Sequence, residues 1–89
     1  MSQTIIARHK VNDINTWLKG HEERMQLFAP AISGFQTFQD QDDPKSVLLV
    51  ITVTDMEKFG AIMNDPKTQD AKDRHTVLDP ITMSMQVDL

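Results

Sequence analysis

Eighty-nine residues, 39% hydrophobic and 25% charged, with no cysteine and a formal net charge of -4, set the first bounds. A chain this short makes one domain, 1–89, and buries only roughly 60–65% of the surface its unfolded form exposes, with no disulfide or thiolate metal site to offset the small core. The acidic balance argues against nucleic acid as a partner, because phosphate readers present a basic face.

The chain opens Met1-Ser2-Gln3-Thr4 and goes directly into a strand pattern, with no basic segment followed by an apolar one, so a cytoplasmic protein is expected. Thr4 to Val11 is the first predicted strand. Its more apolar face, Ile5, Ala7, His9 and Val11, is assigned to the layer under the helices; Ile6, Arg8 and Lys10 take the other face. Asn12-Asp13 turns the chain, and Asp13 is a suitable N-cap for a helix from Ile14 to about Ala29. The stripe of that helix is Ile14, Trp17, Leu18, Met25 and Phe28. Pro30 ends it and Gly34 completes the exit.

Phe35 to Asp40 is a second strand, polar enough to be an edge. The turn cluster Asp40 to Lys45 leads into Ser46 to Thr54, SVLLVITVT. Five consecutive apolar residues there, mostly β-branched, mean a central strand covered on both faces; the run is too short to span a membrane. Asp55 caps a second helix with Met56, Phe59, Ile62 and Met63 facing inward. Asp65-Pro66 interrupts it and starts a new helical segment that runs to about His75. After Asp79-Pro80, the residues Ile81 to Leu89 alternate strictly as a last strand. The order β-α-β-β-α-β is the ferredoxin-like pattern, an α+β fold with a four-stranded antiparallel sheet and both helices on one face. The bare apolar face then calls for a second copy of the chain, a homodimer.

The run His9-Lys10-Val11-x-Asp13, Trp17, Gly34 before a strand, Asp42-Asp43-Pro44 and Val53-Thr54-Asp55-Met56-Glu57-Lys58 resembles the dimeric α/β-barrel superfamily, and within it the small proteins around the antibiotic biosynthesis monooxygenases. The resemblance spans nearly the whole chain through turn and core residues. It implies a homodimer whose two sheets close into a barrel, and a pocket between sheet and helices in each protomer. Some members of that superfamily are oxygenases without metal or flavin, some degrade haem, and some are isomerases or cyclases. The haem-degrading pattern places Asn on the first strand and Trp and His on the second helix. This chain has Arg8 and His9 on that strand, no Trp on that helix, and His75 about a turn late, so that activity is not carried over. Tyrosine, used in several oxygenase sites, is absent.

His21 continues the apolar stripe where an aliphatic residue is the default. It reads either as a half-exposed or core-satisfied histidine or as a pocket residue aimed at the sheet. His9 lies four residues back from the Asn12-Asp13 turn, roughly 13 Å; His21 lies eight residues beyond it, roughly 12 Å. On the pocket reading the two imidazoles face each other as catalytic groups, with Trp17 as an apolar wall and Arg24 at the mouth as ligand-binding residues. Gly20 and Gly60, interior to helices, read as close approach of the helices or as space for a ligand. Three histidines without ligand-like spacing give no metal signal, and no cofactor motif is present. Two functions follow: a small-molecule enzyme with a histidine base, of cofactor-free oxygenase or isomerase type, or a non-catalytic dimeric ligand-binding module.

Overall fold

In a computed structural model, which describes residues 2–89, the first strand β1 (Gln3–Val11) buries alternate residues Ile5, Ala7, His9 and Val11. The opposite set points away from the helices and leaves Ile6 exposed. A four-stranded antiparallel sheet forms in the order β2-β3-β1-β4, from β2 (Ile32–Gln39), β3 (Ser46–Val53) and β4 (Val77–Met85). The most apolar strand, β3, therefore sits inside, between β2 and β1. Val47, Leu49, Ile51 and Val53 are buried, whereas Leu48, Val50 and Thr52 on its other face are only half-buried. One face of the sheet is thus covered by helices and the other lacks a cover among the described residues.

The expected single first helix is two. α1 (Ile14–Lys19) and α2 (His21–Phe28) meet at Gly20, the C-cap of one and the N-cap of the other. Asp13 caps α1 as expected: its Oδ1 accepts from the backbone N–H groups of Asn15 at 3.0 Å and Thr16 at 3.2 Å. On α1 Trp17 is fully buried while Leu18, expected inward, is exposed. The second interruption falls where Asp65-Pro66 placed it. α3 (Met56–Met63) is capped by Asp55, and α4 (Pro66–Arg74) opens with Pro66 after the Asp65 cap. Met56, at the first position of α3, points outward, and Phe59 is the buried residue of that helix.

Strand boundaries differ from the sequence reading, most at β2 and β4, and β4 ends at Met85 and not at Leu89. β2 begins at Ile32, with a register shift between Ile32 and Gly34. β4 begins at Val77, so Asp79-Pro80 lies inside the strand and not before it. Proline lacks a donor, but an edge strand has one unpaired side and bulges there at low cost. β1 and β4 indeed skip register between Arg8 and Lys10, leaving Asp79, Pro80 and Ile81 across from His9. Thr76, at the left-handed φ of 62°, links the α4–β4 turn to the start of α1: its carbonyl accepts from Asn12 N–H at 2.9 Å and its Oγ1 from Asp13 N–H at 3.0 Å. Among the described residues no helix is long and apolar enough to cross a membrane.

Candidate functional site

A cavity of about 70 Å³ lies between the sheet and the helices. Ala7, Leu49 and Ile51 form its floor; Phe28, Phe59, Met63 and Ala71 come down on it from the helices. Its polar side chains are His9 from β1, Trp17 from α1, Arg24 from α2, and Thr68, Lys72 and His75 from α4 and its C-cap. Among the described residues no Asp or Glu borders it. Met83 lines the cavity and is 39% exposed, so the space reaches the surface beside β4.

His9 is buried on the floor because β1 alternates and the inward set happens to include it. Its ring stands edge-on to Trp17, with centroids 5.7 Å apart. His9 Nδ1 lies 3.2 Å from the Lys10 carbonyl, which can only accept, so Nδ1 carries the proton and Nε2 keeps its lone pair. Burial pushes the pKa of His9 below its ordinary 6.5, outweighing the bond to the Lys10 carbonyl that raises it, and the charges of Arg24 and Lys72 add to the lowering. His9 is therefore a neutral imidazole at pH 7.

Arg24 is 7% exposed. Its guanidinium carbon lies 4.2 Å from the centroid of the Trp17 ring, a cation–π stack that offsets part of the desolvation cost. Burial lowers its pKa to about 10, which still leaves it charged at neutral pH. Arg24 Nη1 donates to His75 Nδ1 at 3.2 Å; since arginine cannot accept, His75 carries its proton on Nε2 and donates it to Glu23 Oε1 at 3.0 Å. Glu23 in turn accepts from both Nη atoms of Arg74, whose Nε reaches Asp70 at 3.0 Å. The Arg74 and His75 bonds hold the exposed Glu23 carboxyl down at about 2. A polar chain thus runs from the surface to the cavity wall. It stops there: Arg24 Nε, Arg24 Nη2 and Trp17 Nε1 are buried donors without a partner among the described residues.

Of the four residues singled out in the sequence, His9, Trp17 and Arg24 meet at this cavity, and His21 does not. Past the break at Gly20, the His21 ring packs edge-on against Phe35 of β2 at 5.2 Å, so Phe35, which itself lines the cavity, stands between His21 and that space. The second imidazole at the cavity is His75. A signal for it was present: Thr68, Ala71, Lys72 and His75 share one face of α4 at three-and-four spacing. The other signal was Gly20, because a Cβ there would lie 2.6 Å from the His75 ring. Gly60 makes no such approach; open space surrounds its Cβ position. Among the described residues no group of three or more His, Cys, Asp or Glu is placed to hold a metal.

Several solved structures have this architecture. SnoaB from Streptomyces nogalater, a cofactor-independent oxygenase, superposes with a TM-score of 0.75 at 13% identity, over 99% of this chain and 93% of its own. The fold is that of the antibiotic biosynthesis monooxygenase-like proteins. A candidate antibiotic biosynthesis monooxygenase from Bordetella bronchiseptica gives a TM-score of 0.77 at 14% identity, covering 99% of this chain and 97% of that one. Another from Nitrosomonas europaea gives 0.70 at 16% identity, covering 99% and 90%. No protein-family model and no curated protein sequence matches the chain. Identities this low speak for the fold alone.

Proposed function

We propose that the chain is a homodimeric small-molecule-binding protein of cofactor-free oxygenase- or isomerase-like type, acting on an apolar or aromatic ligand in the sheet–helix cavity. The observation that carries this reading is a buried neutral imidazole, His9, bordering an apolar cavity with no protein hydrogen-bond partner on Nε2 among the described residues. Such a group takes a proton from an acidic C–H or O–H brought against it, and its lowered basicity keeps it unprotonated at pH 7. Trp17 and the aromatic and aliphatic lining supply the apolar walls. Homodimerisation is supported by the uncovered sheet face, where Phe38 is 50% and Ile6 38% exposed.

A specific feature favours the alternative, a non-catalytic ligand-binding module. At about 70 Å³ the cavity is below the ~150 Å³ that holds benzene, so a ring enters only as Met63 or Met83 moves aside. A thermal-shift screen with aromatic polyketides, quinones, short-chain acids and haem separates these readings, followed by oxygen uptake and product analysis on any hit. The oxygenase- or isomerase-like reading expects a ligand-induced shift in the wild-type and His9→Gln proteins and turnover only in the first. Equal turnover by both removes the base role of His9. A shift without turnover in either leaves the binding module.

A further inference from the structure

We infer that the ligand of this cavity is a monocarboxylate, gripped two-point by the free edge of the Arg24 guanidinium while its apolar part fills the space over His9. The inference rests on the cavity being a ligand site and adds the head group the ligand must carry.

The geometry of arginine carries it. A guanidinium presents its five donors in a fixed fork, and Nε–H and the neighbouring Nη–H lie parallel along one edge, matched to the two oxygens of a carboxylate. In this protein His75 Nδ1 occupies Nη1, on the other side of the group. The atoms left bare are Nε and Nη2, which together make the intact bidentate edge. A phenolate or enolate oxygen would use one of them; a carboxylate uses both. The indole Nε1–H of Trp17, stacked against the same guanidinium, is a third buried donor with no partner among the described residues.

Charge points the same way. Arg24 and Lys72 both border the cavity, and no carboxylate of the described residues does. Lys72 Nζ already pairs with Asp79 at 3.5 Å, while Arg24 forms none of the ion pairs between described residues. A buried cation whose donors lack partners is unfavourable, and the arriving anion relieves both defects at once. Glu23 does not fill that role, since its oxygens are engaged by Arg74 and by His75 Nε2. His75 fixes the guanidinium by one edge and leaves the other facing the ligand. The cavity volume limits the apolar part to a few carbons, or to one end of a larger molecule.

The test compares isosteres on the wild-type protein by calorimetry and thermal shift: hexanoate against hexanamide, and benzoate against benzamide. The expected result is at least about tenfold tighter binding of the acid in each pair, as charge-assisted hydrogen bonds require. Equal binding of acid and amide overturns the carboxylate assignment and leaves the cavity as a ligand site. Binding of none of the four overturns both. Arg24→Leu, which removes a buried cation, is expected to fold with unchanged or raised stability and to lose the preference for the acid; an undiminished preference in that variant overturns the assignment to Arg24. The wild-type isostere comparison needs no variant, so it decides the question even where Arg24→Leu misfolds.

Discussion

The ring of His75 fills the space where a β-carbon on Gly20 would sit, with its Cε1, Nδ1 and Nε2 all within 2.7 Å of that point. The ring cannot retreat freely, because Arg24 holds Nδ1 and Glu23 holds Nε2. Gly20→Ala should therefore lower stability by about 1–3 kcal/mol through overpacking, and as a cap residue between two helices Gly20 offers alanine no helix-interior gain to offset it. The φ of Gly20, -82°, is open to alanine, so the loss comes from the ring and not from the backbone. In a His75→Ala background the same change should become close to neutral. A double-mutant cycle by urea denaturation reads this coupling, and additive effects would show that the ring is not the obstacle.

His9 makes stability pH-dependent in a defined direction. Its folded pKa is below the ordinary 6.5, so below pH 6.5 the unfolded chain binds a proton that the folded one resists. Stability should fall as pH drops through 6.5 toward the folded value, and stay level with respect to this group above it. Glu23 acts lower down: its carboxyl is held at about 2 against an ordinary 4.5, so its contribution is present above pH 4.5 and is lost as pH falls toward 2. Urea midpoints between pH 4.5 and 8 should show the first slope, and His9→Gln should abolish it. A slope that survives His9→Gln belongs to another group.

How far these features were readable from residues depends on which physical signal each one leaves. Alternation in β1 placed His9 inward, and the apolar run Val47–Ile51 placed β3 in the centre, because both are single-strand patterns. Asp13 and Asp65 announced helix starts through short-range cap chemistry. The break at Gly20 left a weaker mark, since glycine in a helical pattern has several explanations and the deciding neighbour, His75, is 55 residues away. Distance along the chain from the turn at Asp13 put His21 level with His9, but level is not facing, and past the break His21 packs on Phe35. Likewise Asp79-Pro80 looked like the end of a loop because the partner strand that tolerates its bulge is not visible in the local sequence.

The junction between α3 and α4 gives a prediction on capping alone. The Asp65 carboxylate accepts from Lys67 N–H at 2.8 Å, and Pro66 at the first helical position needs no donor partner. Asp65→Ala should cost about 1 kcal/mol, with Asp65→Asn or Asp65→Ser close to wild type. Thr68, whose hydroxyl donates to the Ile62 carbonyl across the same junction, should add to the loss when changed to Val, because it is buried and the carbonyl is then left without that donor. Thermal unfolding of the single and double variants measures both. An Asp65→Ala protein as stable as wild type would mean that packing of α4, and not its cap, holds the segment.

The uncovered sheet face leads to the last prediction. Register places Ile6 beside Val50, and Phe38 beside Leu48, so these four residues form one apolar patch across β2, β3 and β1. A chain with so small a core gains most by burying such a patch against its own copy, and a stable dimer needs roughly 1,000 Å² or more of buried surface. Light scattering at micromolar concentration should give twice the 10.1 kDa chain mass. Val50→Glu puts a charge in the middle of the patch on the central strand. In a monomer that carboxylate remains hydrated and the cost is slight; in a dimer it is desolvated twice, once per protomer, which weakens association by at least about 100-fold. The variant should therefore scatter as a monomer and keep its helical and sheet circular dichroism. Asn15→Glu, on an exposed site of α1, makes the same one-unit charge change and should leave the dimer intact. If Val50→Glu remains dimeric, the contact between copies lies elsewhere, and the exposed Leu78, Met83 and Met85 of β4 become the next residues to change.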